Sequence, residues 1–98
     1  MFDICQIRQI ELGVIAGIDV SIYAKPEFDW MQMWEIRFGL EEGYDVSVYA
    51  KVCFTSTQMQ HIRWGLQEGL DVSVYAKPEF GMLQMETIRR RLSKEKNK

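Results

Sequence analysis

The chain has few of the residues that build chemical sites. It contains one histidine, two cysteines and two prolines among 98 residues. The longest apolar runs fall well short of the roughly 18 residues that a membrane-spanning helix needs. The segment Met1–Cys5 lacks the basic start and the long apolar core of a secretory signal. The sequence therefore predicts no membrane contact and favours a cytoplasmic protein.

The residues that could carry chemistry are isolated from one another. Cys5 and Cys53 stand alone, and His61 has no histidine or cysteine at metal-ligand spacing. Two unrelated cysteine positions favour free thiols in a reducing compartment over a disulfide. No glycine-rich phosphate loop is present. The sequence therefore predicts a protein without enzymatic activity, metal or cofactor.

What the chain has instead is self-similarity with a period of 26 residues. The segment 32–51 returns at 58–77, a looser copy occupies 6–25, and a half copy occupies 84–92. A fixed period of about 20–50 residues is typical of stacked supersecondary units, which bind partners more often than they catalyse. We expect one all-α domain, a short α-solenoid of about 3.5 repeats of a helix–turn–short-helix unit. The expected boundaries are repeats 2–28, 29–54 and 55–80, a capping helix 81–92 and a basic tail 93–98.

Each repeat begins with the pattern of a capping box, in which a polar cap residue stands three positions before a glutamine. A glycine that can adopt a left-handed conformation then ends each long helix after about 13 residues. The pairs are Asp3 with Gln6, Asp29 with Gln32, and Thr55 with Gln58, and the glycines are Gly17, Gly43 and Gly69.

The second half of each repeat is ambiguous. The segment 45–49 alternates in the manner of a strand and is β-branched. Asp45 could equally cap a short new helix, with Pro26 and Pro78 closing the equivalent segments. We favour the short helix because units of two helices leave no exposed strand edges. The three serines Ser21, Ser47 and Ser73 each follow an aspartate by two residues, which fits a capped turn better than a nucleophile.

Two sets of positions indicate how the repeats touch. Arg37, Arg63 and Arg89 stand where the first repeat has Glu11, so we expect each arginine to reach back to the preceding unit, to backbone carbonyls of its turn. A glycine also recurs in mid-helix, where it costs about 1 kcal/mol relative to alanine. The recurrence of Gly13, Gly39 and Gly65 predicts a close approach by the short segment or the next unit.

The candidate binding surface is aromatic. Trp34 stands where the other repeats have Arg8, Gln60 and Glu86, so its position should face water. Trp30 lies one helical turn earlier and Phe38 one turn later, on one face of the helix. Exposed aromatic pairs are where interface energy concentrates. The candidate partner-binding residues are Trp30, Met31, Trp34, Phe38 and His61, the last at an expected helix-surface position.

Two alternatives stay open for this surface. Trp30 could pack on the first repeat and Phe38 on Tyr44, which would leave only Trp34 without a structural role. The partner could also be a second copy of the chain, since a self-complementary patch at Trp30 and Trp34 forms a two-fold dimer.

The charge is divided between body and tail. Residues 1–88 carry six Lys and Arg against thirteen Asp and Glu, a net charge of −7, and residues 89–98 carry six against one, a net charge of +5. An acidic body disfavours broad contact with nucleic acid, whereas a basic tail can touch phosphate or an acidic protein. The simpler interpretation is a solvated helix end. The candidate contacts are Arg89, Arg90, Arg91, Lys94 and Lys96.

The copies share the pattern Gln-Met-x-x-Ile-Arg-x-Gly-Leu-x-x-Gly-x-Asp-Val-Ser-x-Tyr-Ala-x-Pro-x-Phe. This pattern resembles a tandem repeat of uncharacterised proteins from gut Firmicutes, their mobile elements and phages. The resemblance covers residues 2–92 and supplies no catalytic or ligand residue. It implies a cytoplasmic bacterial or phage protein that counters host defence. The Val52-Cys53 pair departs from the Pro-Glu of the neighbouring units.

Three functions follow, in decreasing order of preference. The first is a protein-binding repeat module, an adaptor or inhibitor acting through the aromatic face. The second is an inhibitor of a nucleic-acid-guided defence nuclease, in which the acidic body mimics a phosphate track. The third is nucleic-acid binding through the basic tail.

Overall fold

A computed structural model describes residues 1–97 of the chain, and Lys98, the last residue of the expected basic tail, lies outside the described residues. The elements are the α-helices α1, Ile4–Ala16; α2, Trp30–Glu41; α3, Ser56–Gln67; and α4, Met82–Lys96; with the 3-10 helices η1, Val20–Ile22; η2, Val46–Val48; and η3, Val72–Val74. Residues 1–97 contain no strand. The all-α prediction is confirmed, and the strand alternative for the short segments is wrong.

The long helices pack in chain order, α1 on α2, α2 on α3 and α3 on α4, over extents of 45 × 26 × 16 Å. Each 3-10 segment packs on the long helix that precedes it. The core lies along these junctions and consists of methionine, isoleucine, valine and aromatic side chains. Its fully buried members are Tyr23, Met33, Ile36, Tyr49, Phe54, Met59, Ile62, Tyr75 and Met85.

The expected capping boxes are present at the starts of α1, α2 and α3. In α2, Asp29 accepts a hydrogen bond from the Gln32 amide at 2.7 Å, and the Gln32 Oε1 accepts one from the Asp29 amide at 2.8 Å. Each 3-10 segment is capped as well, since Asp45 accepts from both the amide and the hydroxyl of Ser47. These contacts satisfy backbone amides that a helix start leaves without partners.

Glycines end the first three long helices. The fourth helix is longer because it has no glycine at the corresponding position. Gly17, Gly43 and Gly69 have φ between 74° and 82°, a region that favours glycine. Glu95 stands at the corresponding position after the fourth copy. Helix α4 therefore continues to Lys96, beyond the expected end at residue 92, and residues 93–96 of the expected tail are helical.

A tyrosine lies against each mid-helix glycine. The Tyr49 hydroxyl donates to the Glu35 carbonyl at 2.6 Å, across the surface of α2 at Gly39. A Cβ on Gly39 would lie within contact of the Tyr49 hydroxyl and 2.7 Å from a Val46 methyl carbon. The same arrangement recurs around Gly13 and Gly65. The expected close approach is confirmed, and it is made by the short segment of the same unit.

The cap glutamines also tie neighbouring copies together. While Gln32 Oε1 accepts from its own cap residue, its Nε2 donates to the Phe54 carbonyl of the following copy at 2.7 Å. Gln6 and Gln58 make the same pair of contacts, to Phe28 and Phe80. The side-chain amide of each buried glutamine thus hydrogen-bonds both to the backbone amide of its own cap residue and to a backbone carbonyl just before the next long helix. Gln84, in the last copy, accepts from Gly81 and is exposed to solvent.

Replacing Gln32 by glutamate should destabilise the protein by about 2 kcal/mol, because the acceptor for Asp29 is kept while the buried donor to Phe54 is lost. Gln84→Glu is the matched control and should be neutral, since Gln84 is exposed and a carboxylate suits the first turn of a helix. Urea unfolding followed by circular dichroism measures both. Equal stability of the two variants would show that the inter-copy hydrogen bond contributes little.

Substituting Gly39 by alanine should lower stability by about 2 kcal/mol, because overpacking against Tyr49 and Val46 outweighs the better helix propensity of alanine. The cost should shrink in a Tyr49→Phe background, where the atom closest to the new methyl group is removed. Thermal unfolding of the wild type, both single variants and the double variant measures this coupling. Additive effects would contradict the close-approach account.

Candidate interaction surface

The exposed aromatic surface is centred on the first turn of α2. Trp30 and Met31 are 41% and 46% exposed, although both are large apolar side chains. Beside them, a groove of about 390 Å³ runs between α2 and α3. The far wall consists of small or polar side chains, Ser56, Thr57 and Gln60. The structure therefore offers a partner both protruding apolar groups and an adjacent recess.

Trp34 lies deeper than its position in the sequence copies predicts. Its ring stacks on Phe38 with centroids 5.1 Å apart, and the Arg63 guanidinium lies 5.6 Å from the Trp34 ring and 4.5 Å from the Phe38 ring. Trp34 and Phe38 are both only partly exposed. The expectation that the Trp34 side chain faces water is therefore wrong for part of the ring, because Arg63 of α3 covers that part.

His61 does not belong to the exposed surface. It is only 6% exposed, and its ring meets Trp64 edge-on at 5.1 Å. The expectation of a helix-surface position for His61 is therefore wrong. The reason is that this register position faces the following helix, as Gln9 and Glu35 do in the earlier copies, and both are also buried.

The arginines reach back to the preceding helix, as expected, but their acceptors are side chains and not the backbone carbonyls of a turn. Arg37 Nε donates to Gln9 Oε1 at 3.0 Å, and Arg63 Nε donates to Glu35 Oε1 at 2.8 Å. Burial raises the pKa of the Glu35 carboxyl, and the hydrogen bond from Arg63 opposes that rise. A buried guanidinium is tolerated here because it is both paired and stacked on aromatic rings.

The third junction departs from this pattern. Arg89 bonds through its terminal nitrogen to Glu68 at 3.0 Å, and its Nε has no hydrogen-bond partner. The Nδ1 of His61, at the position of the earlier acceptors, is also buried without a partner. Burial lowers the pKa of His61, and the nearby charge of Arg89 lowers it further, against an opposing effect of Glu86. The third junction is therefore the one of the three whose buried polar atoms have the fewest hydrogen bonds.

Most of the candidate basic residues are already engaged within the chain. Arg89 pairs with Glu68, Arg90 pairs with Glu86 at 3.0 Å, and Lys96 Nζ donates to the Glu68 carbonyl at 2.6 Å. Arg91 and Lys94 are exposed and line a shallow recess with Thr87 and Arg90. The structure thus places the first residues of the expected basic tail on α4, where Arg91 and Lys94 form a small basic surface.

The other candidate chemical groups lie apart. Cys5 and Cys53 are free and exposed. Within residues 1–97, no three His, Cys, Asp or Glu side chains are placed to hold a metal ion. None of the helices in that range is long and apolar enough to cross a membrane. The serines Ser21, Ser47 and Ser73 donate to the aspartates that cap the 3-10 segments.

The α3 wall of the groove was missed by the sequence analysis. Comparing copies singles out unusual residues, and Ser56, Thr57 and Gln60 are ordinary polar residues of a helix surface. One signal was available: Ser56 stands at the position of Trp30, so a small side chain faces the space beside a large one.

Comparison of the chain with known protein families, with curated proteins and with solved structures gives no match.

Replacing His61 by glutamine, the residue at the equivalent position of the first copy, should stabilise the protein by about 1 kcal/mol because it offers Arg89 an acceptor. It should also change the pH dependence. The pKa of His61 is lowered in the folded state from 6.5, so the unfolded chain binds more protons and wild-type stability falls as pH decreases below about 6.5.

The free energy of unfolding, measured from pH 5.5 to 7.5 for both proteins, tests this. The difference in stability between His61→Gln and wild type should grow toward the acidic end. A constant difference across the range would mean that His61 titrates equally in the folded and unfolded chains.

Proposed function

We propose that the protein is a short α-solenoid that binds another protein through an apolar surface on α2 and α3, and that it acts as an adaptor or inhibitor without catalysing a reaction. The observation that carries the proposal is the exposure of Trp30 and Met31 beside a groove of about 390 Å³. Folding leaves these two large apolar side chains in water beside a recess, while Met33, Met59 and Met85 are fully buried.

The repetition of contacts supports the solenoid part of the proposal. The same tyrosine–carbonyl, glutamine–carbonyl and cap contacts recur every 26 residues, and consecutive long helices pack on one another. In such stacks the recurring positions maintain the framework, and the positions that differ between copies are free to contact a partner. Trp30 and Met31 are both positions that differ between copies.

The shape of the surface favours a protein partner over a small ligand. The recess is open and is flanked by an indole and a thioether, side chains that are enriched where protein interfaces concentrate their binding energy. The small polar side chains of its α3 wall supply hydroxyl and amide groups for hydrogen bonds at the margin. We propose a partner that inserts an apolar side chain between Trp30 and Thr57.

Inhibition of a defence nuclease remains a narrower version of this proposal, one that the resemblance and the acidic body suggest. It is supported by the exposure of many carboxylates of the body, among them Glu11, Glu27, Glu41, Glu42 and Asp45. Nucleic-acid binding is less favoured because Arg89 and Lys96 already contact acceptors elsewhere in the chain. The two exposed thiols agree with the reducing cytoplasm that we propose as its location.

The double variant Trp30→Glu/Met31→Glu should abolish partner binding, with at least a hundredfold loss of affinity, because hot-spot residues each contribute about 2 kcal/mol or more. Its stability should change little, since both side chains are exposed. Affinity capture from bacterial lysate, quantified by mass spectrometry, identifies the proteins retained by the wild type alone.

Val52→Glu is the matched control, because Val52 is 56% exposed and lies away from the α2–α3 groove lining. Trp34→Glu is unsuitable as the main test, since it also removes the stacking on Phe38 and Arg63. If wild type, control and double variant capture the same proteins at the same level, the proposed surface is not the binding site.

A further inference from the structure

The first helix exposes a face that the later helices bury. Ile7 and Val14 of α1 are 44% and 61% exposed. Met33, Met59 and Met85 stand at the position of Ile7 and are fully buried. In α2, α3 and α4 this face packs against the preceding helix, and no helix precedes α1 in residues 1–97. The α1 face therefore has the chemistry of a helix junction without its partner.

The last helix exposes the opposite face. Gln84 and Thr87 are exposed, whereas Gln58 and His61, at the same positions of α3, are buried under α4. A shallow groove of about 300 Å³ marks this side of α4. It is lined by Phe80, Leu83, Gln84, Thr87 and Ile88.

The polar groups on these two faces differ from those of the internal junctions. Within the chain, the preceding helix supplies the acceptor, Glu35, and the following helix supplies the cation, Arg63. On α1, the acceptor Glu11 stands at the position of Arg63, so the charge of this position is reversed. On α4, Thr87 stands at the position of Glu35, and its hydroxyl donates to the Leu83 carbonyl of the same helix.

An arginine on α4 supplies a partner for Glu11. Arg63 lies 4.5 Å from the ring of Phe38 and 5.6 Å from the ring of Trp34 across the α2–α3 junction. Glu11 on α1 stands at the position of Arg63, and Arg90 and Glu86 on α4 stand at the positions of Phe38 and Trp34. A second copy docked in the register of the internal junctions would thus place Glu11 against Arg90, and Arg90 would lie between the carboxylates of Glu11 and Glu86.

We propose that the chain associates head to tail with further copies of itself, the α1 face of one copy packing on the α4 face of the next. Glu11 of one copy pairs with Arg90 of the other, and Ile7 and Val14 enter the groove on α4. Arg90 can contact the second copy while it keeps its pairing with Glu86, since its side chain is 71% exposed and Glu86 lies on the same helix.

The overall charge distribution favours the same arrangement. Residues 1–88 carry −7 and residues 89–98 carry +5, so the basic end of one copy attracts the acidic body of another. Two different faces meet in this contact, which makes it a heterologous interface that can add copies without closing at two. The contact is separate from the α2–α3 groove, and a chain of copies would present that groove repeatedly.

Sedimentation velocity of the purified protein from micromolar to millimolar concentrations tests the association. We expect the weight-average mass to rise with concentration and to pass that of a dimer. A monomer throughout the range would overturn the proposal. A mass that stops at the dimer would overturn it too, since a two-fold contact at Trp30 and Trp34 gives that result.

Reversing the charge of Glu11 or of Arg90 tests whether the α1 and α4 faces form the contact between copies. Glu11→Arg alone brings two guanidinium groups together at each junction, and Arg90→Glu alone brings two carboxylates together. Each variant should therefore associate at least about tenfold more weakly than wild type. A mixture of the two variants forms oppositely charged pairs where the copies alternate and should regain association. Partial unfolding cannot explain such a recovery, because each variant is unchanged by mixing.

Trp30→Glu/Met31→Glu serves as the control and should associate as wild type does, since these residues lie outside both faces. Loss of association in this control with no recovery in the charge-reversed mixture would assign self-association to the aromatic surface. The partner-binding proposal is tested separately by capture from lysate, so either proposal can fail alone.

Discussion

The structure depends on the close contact of a tyrosine with a helical glycine. Each tyrosine hydroxyl bonds to a carbonyl in the middle of a long helix, at the one place where the lack of a side chain opens that surface. The contact fixes the angle between a long helix and its short segment, and the phenol fills the space between them. Burial raises the pKa of Tyr23 to about 12 and raises that of Tyr49 further, so the donating proton is retained at any physiological pH.

Junctions between copies use a second set of contacts, and these vary along the chain. The glutamine that completes each capping box also bonds to the next copy, so the start of one helix positions the start of the following one. The arginine contact is less uniform: Gln9, Glu35 and His61 are three chemically different neighbours for the same cation. The glutamine contact therefore sets the same pairing between consecutive helices each time. The position that faces the arginine accepts different side chains, at the cost of unpaired nitrogens in the third junction.

The surface that we propose for partner binding lies at positions that these two contacts leave free. Side chains with a framework role recur in the sequence and are buried, whereas Trp30 and Met31 beside the groove differ between copies and are exposed. The first and last long helices differ from the inner two for another reason. Helix α1 exposes Ile7 and Val14 and carries Glu11 where the later helices have arginine, and the head-to-tail contact that we propose pairs Glu11 with Arg90 of another copy.

The caps, the glycine stops and the helical class could be predicted from sequence, because each depends on residues within a few positions of one another. The 26-residue period could be found by comparing segments of the sequence with one another. Asp29 and Gln32 form a cap wherever the rest of the chain lies. Exposure could not be predicted in the same way, since it depends on what another helix brings. Trp34 is partly covered because α3 supplies Arg63, and His61 is buried because α4 lies over it. Only the packing of separate helices decides which side chains of a repeat remain available to a partner.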